Sequence, residues 1–160
     1  MLTRQLIESQ NKLSFGYVIV LIGTMLWCVL LFVPPFIAAW EQPPSTASHY
    51  SYMFFSTICH QYDSRSLHIA GHKLAVCARC SGIYFGFFFS ALLAPIFLGR
   101  KSRQTLTLLV LAALPMILDV AVGVIGLHEP TIITRLSTGL FFGVIAGIAL
   151  VPIWWCGSEE

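Results

Sequence analysis

Apolar residues run along this chain in four long blocks, and most polar residues are crowded into the gaps between them. The blocks cover residues 15–39, 74–98, 105–127 and 132–155. Each is long enough to cross a hydrocarbon core of about 30 Å, which takes roughly 20 helical residues. The pattern predicts an all-α polytopic membrane protein, a bundle of four transmembrane helices forming one membrane domain over residues 1–160. The first block ends near Pro34-Pro35 and Trp40, and it exceeds the apolar core of about 7–15 residues found in a signal peptide, so a retained anchor is expected. Residues 1–14 read as a short polar tail, and 41–48 as a linker rich in Pro, Ser and Thr. The segment 49–62 is too short to span. Its Tyr50, Tyr52, Met53, Phe54, Phe55 and Ile58 predict a short interfacial helix before the second span. Residues 63–73, with Ser64, Ser66 and Gly71, read as loop.

Small residues recur at four-residue spacing in two of the blocks: Gly82, Gly86 and Ser90 in the second, and Gly139, Gly143 and Gly147 in the fourth. That spacing predicts close helix packing.

Composition agrees with the block pattern. The 160 residues are 57% hydrophobic and 10% charged, with mean hydropathy +0.81, whereas a soluble domain carries about a quarter charged residues. A net charge of +2 without a dense basic run gives no reason to expect a nucleic-acid partner. Membrane lipids are the expected surroundings, and a homo-oligomer is compatible with the size. Lys and Arg concentrate in cytoplasmic loops. With both termini inside, Arg4, Lys12, Arg100, Lys101 and Arg103 are cytoplasmic, while Arg65, Lys73, Arg79 and Arg135 are outside. That division, five of nine basic residues inside, places the loop 40–73 on the extracytoplasmic side of the cell membrane.

The chemistry gathers between Cys59 and Gly86, a stretch with three of the five cysteines and three of the five histidines. On a helix Cys77 and Cys80 are i and i+3, with both sulfurs facing one way. With Cys59 and one of His60, His68 or His72, they make a Cys3His set that suits zinc or another thiophilic ion; His72 is the histidine chosen. Core-filling cysteines, or a disulfide among the three, are the structural alternatives. Cys28 and Cys156 are expected to be packing residues. Asp119 is the one acidic residue well inside a span, which marks it as a functional candidate. Arg135, at the outer end of the fourth span, is placed to pair with Asp119 or bind an anion. Arg65 and Arg79 add two more cations on that side, and three guanidinium groups suit a phosphate or another lipid headgroup. Tyr84 joins the face of Cys80 one turn on.

The segments CHQ at Cys59–Gln61, RS at Arg65-Ser66, CARCSGIYFG at Cys77–Gly86, Asp119 and RLSTG at Arg135–Gly139 together resemble a family of small bacterial and archaeal membrane proteins. It is catalogued as a domain of unknown function with a CHQ…RS…CARCxGIYxG signature. The resemblance implies a polytopic membrane fold and marks these residues as shared, without supplying a reaction.

Three functions fit these residues. In the first, the chain is a membrane metalloprotein with a zinc-like ion on Cys59, Cys77, Cys80 and His72, acting as a lipid-modifying enzyme or hydrolase. His60, Asp119 and Arg135 are its catalytic candidates, and Arg65, Arg79, Tyr84 and Arg135 hold an anionic lipid or lipophilic substrate. The second is a quinone-coupled thiol-disulfide oxidoreductase using Cys77 and Cys80, although only Cys59 remains to serve as a second redox partner. The third is an ion or lipid transporter, or a small subunit of a complex, using Asp119.

Overall fold

Two consecutive prolines decide the shape of the first apolar block. The computed structural model describes residues 15–40, 46–97, 105–127 and 129–155. In it the block is two helices, α1 (Phe15–Leu30) and α2 (Val33–Trp40), joined at Leu31-Phe32. Pro34 and Pro35 have no N–H, so the Leu30 and Leu31 carbonyls lose their helical donors, while both prolines fit the first turn of a new helix. The Leu31 carbonyl instead accepts from the Ala75 N–H at 3.3 Å. The break is therefore a docking point for a later segment. Together α1 and α2 still make 26 residues long and apolar enough to cross a membrane.

Helix α3 (Thr46–Ser56) buries Ser48 and Phe55 and leaves Tyr50, Met53 and Phe54 exposed. Its last turn reaches Cys59, whose N–H bonds the Phe55 carbonyl at 3.0 Å. A 3-10 turn, Asp63–Arg65, leads into strands β1 (Ser66–Ile69) and β2 (His72–Cys77). These pair antiparallel, with Ile69 opposite His72 and Ser66 opposite Cys77. The two-residue turn Ala70-Gly71 has φ of +51° and +80°, the left-handed pair that matches strand twist in a tight hairpin.

The hairpin corrects two expectations, that the fold is all-α with a loop over 63–73 and that the second span begins at residue 74. Leu74, Ala75 and Val76 are buried as strand residues, and α4 (Ala78–Phe97) begins only after Cys77. An apolar run of that length does not distinguish a buried strand from the start of a helix by its period.

Helices α5 (Thr105–Ile125) and α6 (Ile132–Trp155) complete the mostly helical architecture. Among the described residues three helical stretches are long and apolar enough to cross a membrane, Phe15–Trp40, Thr105–Ile125 and Ile132–Pro152. The first turns of α4 carry Arg79, Ser81 and Gly82, which dilute its apolar character. Its packing is nevertheless intimate. A Cβ on Gly82 or Gly86 would overlap the Leu136 or Leu140 carbonyl, and one on Gly139 or Gly143 would overlap the Arg79 or Ile83 carbonyl. The small-residue spacing thus lets the backbones of α4 and α6 touch.

Two buried clusters lie at opposite ends of α1 and α4: Leu31, Phe55, Cys59, Leu74, Ala75 and Val76 at one, Tyr17, Ala91, Ala94 and Val151 at the other. The tail with Arg4 and Lys12, the basic group Arg100, Lys101 and Arg103, and Cys156 all lie outside the described residues, as do the side chains of Trp154 and Trp155.

Candidate metal centre

Three separate segments each deliver one sulfur to the same point. Cys59 comes from the end of α3, Cys77 closes β2, and Cys80 sits in the first turn of α4. Their Sγ atoms all lie within 4.8 Å of one another. Cys77 and Cys80 do not share a helix face as expected. The strand-to-helix junction brings them together instead.

A tetrahedral ion with Zn–S bonds of about 2.3 Å holds its sulfurs roughly 3.8 Å apart, a spacing this cluster reaches with small side-chain adjustments. All three cysteines are free thiols. The Cys77 N–H donates to Cys59 Sγ at 3.3 Å, and the Cys77 and Cys80 thiols also donate to that sulfur, so the Cys59 thiol is held far below its ordinary pKa. A sulfur with this many donors favours the thiolate, which is the metal-binding form.

The surroundings are mostly apolar. Cys59 belongs to the hairpin-end cluster, against which Trp27, Cys77, Cys80 and Tyr84 pack. The Trp27 ring meets Phe55 and Tyr84 edge-on, each at 5.8 Å. Tyr84 thus lies beside the cluster and lines a groove of about 510 Å³ with Gly23, Thr24, Trp27 and Phe87. Cys28 is the packing residue expected, buried and donating to the Tyr84 carbonyl at 3.7 Å.

No histidine joins the three sulfurs among the described residues. His72 pairs with Ile69 at the turn of the hairpin, five residues along the strand from Cys77 and hence about 16 Å away. It does not complete the site. His68 contacts Asp63 Oδ1 at 3.2 Å. His60 is exposed and stacks on Tyr62, with ring centres 6.0 Å apart.

The charged candidates form a second group. Arg79 Nη2 donates to Asp119 Oδ2, and both side chains are largely buried, at 17% and 10% exposure. Asp119 is therefore partnered by Arg79 rather than Arg135. Arg135 donates from Nε to the Pro130 carbonyl at 3.1 Å, and Arg65 lies 5.2 Å over the Tyr62 ring. Arg79 Nε is buried and has no hydrogen-bond partner.

Gln61 carried no expected role, yet it holds the Cys59 turn. It is buried with φ of +49°, a left-handed conformation that costs a non-glycine residue about 1–2 kcal/mol. Its Nε2 donates to the Tyr52 carbonyl at 2.9 Å, Lys73 Nζ donates to its carbonyl at 3.0 Å, and Tyr52 Oη donates to the Lys73 carbonyl at 2.5 Å. This ring of bonds ties α3, the cysteine turn and β2 together. Neither hydrophobic period nor turn composition signals it.

The chain resembles other proteins over the same region. A family model described as predicted membrane protein (DUF2085) matches residues 59–149. An uncharacterized protein of Methanocaldococcus jannaschii is 33% identical over 144 residues, 87% of this chain and 92% of the relative. An uncharacterized protein of Methanothermobacter thermautotrophicus is 34% identical over 102 residues, 62% of this chain and 87% of that protein. No solved structure matches. The matched region begins at Cys59 and takes in all three sulfurs, the Arg79–Asp119 pair and the glycine seam, and on that match the chain belongs to the DUF2085 family of predicted membrane proteins.

Proposed function

We propose that this protein is an integral membrane metalloenzyme whose three-cysteine site binds a zinc-like ion and whose substrate is an anionic lipid or another lipophilic anion. The observation that carries the reading is the convergence of three free thiols from three elements to within 4.8 Å. With three protein sulfurs, a four-coordinate ion keeps one position for water or substrate. Bound there, the ion would supply Lewis acidity and lower the pKa of a bound water. His60, exposed beside Cys59, is the proposed proton carrier. Arg65 and Arg135 are the proposed anion contacts, Asp119 orients Arg79, and Tyr84 forms part of the apolar wall.

This reading includes α4 as a fourth span, supported by its 20 residues and its close seam with α6. It takes α3 as interfacial, supported by its exposed Tyr50, Met53 and Phe54. The hairpin end faces the extracytoplasmic side.

The test is elemental analysis after reducing, chelator-free purification. One thiophilic metal ion per wild-type chain and none in Cys59→Ser is the expected result; a metal-free wild-type protein overturns the reading. Because Cys59 already favours the thiolate, zinc added to the stripped protein should release at most two protons per ion from the thiols, with any further proton coming from the bound water, measured by calorimetry in buffers of different ionisation enthalpy across a range of pH. Three thiols this close are also compatible with disulfide exchange. Thiol trapping of the same preparation separates that use, which requires a population oxidised in cells.

A further inference from the structure

The lipid-directed part of this reading can be sharpened from the charges around Arg79. Gly139 has no Cβ, and the Arg79 backbone rests against it. Arg135 is one helical turn before Gly139, so the two arginines enter the α4–α6 seam at neighbouring levels. Arg65, exposed on the 3-10 turn, lies within electrostatic reach of Arg135, as do Arg79, Asp119 and Cys77. Asp119 neutralises one of the three guanidinium groups. Arg135, in the first turn of α6, and Arg65, exposed on the turn above it, are left without a carboxylate partner among the described residues.

The same arginine is the polar end of an otherwise apolar groove of about 480 Å³ along α5, walled by Met116, Ile117, Val120 and Val124. Ile117 and Val124 are 55% and 82% exposed. In a bilayer such a face is covered by a chain of hydrocarbon. The groove therefore joins Arg79 on α4, with Arg135 at the neighbouring level of the seam, to an apolar trough along α5.

We propose that this is a binding site for a lipid phosphomonoester, with its phosphate between Arg79, Arg135 and Arg65 and its hydrocarbon chain along Ile117, Val120 and Val124. Charge decides the class. A phosphomonoester carries about −1.5 to −2 at neutral pH and matches the two uncompensated cations, whereas a phosphodiester headgroup such as that of phosphatidylglycerol brings one negative charge. Guanidinium also binds phosphate oxygens in pairs, which favours a terminal phosphate with three free oxygens over a diester. Arg79 Nε, buried without a partner beside this end, is a donor left over from the Asp119 pairing. The inference extends the lipid-directed reading but needs no metal.

The test is native mass spectrometry of the full chain released from detergent, titrated in parallel with phosphatidic acid, phosphatidylglycerol, phosphatidylcholine and inorganic phosphate. Phosphatidic acid should bind on the order of tenfold more tightly than phosphatidylglycerol, and phosphatidylcholine more weakly still. Arg135→Gln should bring phosphatidic acid down to the level of phosphatidylglycerol. Val120→Trp, which fills the trough and leaves the arginines in place, should weaken all three lipids together. Equal binding of the three lipids, or unchanged selectivity in Arg135→Gln, overturns the phosphate site. Inorganic phosphate binding as tightly as phosphatidic acid removes the role of the trough. A lipid-independent dimer abolished by Val120→Trp would assign the trough to a second copy and overturn the proposal. The titration is repeated with Cys59→Ser: selectivity retained without metal means that the lipid site stands whatever becomes of the metal centre, and selectivity lost there overturns the site's independence of the metal.

Discussion

Asp119 and Arg79 illustrate what one side chain does to another when water is scarce. A carboxylate or a guanidinium alone at that depth is costly, and a partner in hydrogen-bond contact offsets much of the penalty without making the pair a net stabiliser. Removing one member should therefore be worse than removing both. Asp119→Asn strands a mostly buried guanidinium and should lower stability by about 3–5 kcal/mol, read as a drop in thermal unfolding temperature in detergent. The double replacement Arg79→Met with Asp119→Leu should regain most of the loss. A harmless Asp119→Asn would mean that the carboxylate does not support Arg79. Asp119 was conspicuous in the sequence as an acid within an apolar run. Its partner was not, because Arg79 and Arg135 are equally plausible by type, and only the α4–α6 seam determines which one faces α5. Gln61 was marked only as part of the CHQ motif, and its role was not legible for a related reason: it comes from a left-handed backbone closed by hydrogen bonds to residues 9 and 12 positions away.

At the level of elements, the first span and the hairpin depend on each other through one backbone bond. Pro35 cannot donate to Leu31, and the freed carbonyl takes the Ala75 N–H at the base of the cysteine cluster. Pro35→Ala restores a competing helical donor. The expected result is a straighter first span and a looser β2, with a loss of about 1 kcal/mol from the Leu31–Ala75 bond and faster hydrogen exchange at Ala75. Unchanged exchange there would separate the proline break from the hairpin. The prolines were legible as the end of a helix, and the cysteines as a cluster. The hairpin was not, since Leu74, Ala75 and Val76 run without a polar break toward the apolar core of α4, and Ala70 is an unusual residue for the first position of a left-handed turn. The cluster was thus expected in the right residues for a reason that proved incomplete, because Cys77 and Cys80 meet across a strand-to-helix junction rather than along one helix.

The whole molecule poses the question of which side the hairpin faces. Lys and Arg report topology when they are loop residues free to be retained by the cytoplasmic leaflet. All four on the hairpin side make contacts of their own: Arg79 with Asp119, Lys73 with the Gln61 carbonyl and the Tyr52 ring, Arg135 with the Pro130 carbonyl, and Arg65 with the Tyr62 ring. Each has a structural reason to be there whatever the orientation. Arg4, Lys12, Arg100, Lys101 and Arg103 lie outside the described residues and enter only through the sequence count of five against four. The proposed orientation, with cytoplasmic termini and an extracytoplasmic thiol site, therefore rests on that sequence count and calls for a direct test. Ser64 is exposed in the turn before β1, so Ser64→Cys offers a labelling position beside the site without touching it. In intact cells a membrane-impermeant maleimide should label Ser64→Cys well above the wild-type background. Labelling that needs permeabilised membranes would put the site in the cytoplasm, where thiols are kept reduced. Disulfide exchange would then lose its oxidising compartment, whereas a metal site of three thiolates would remain chemically at home.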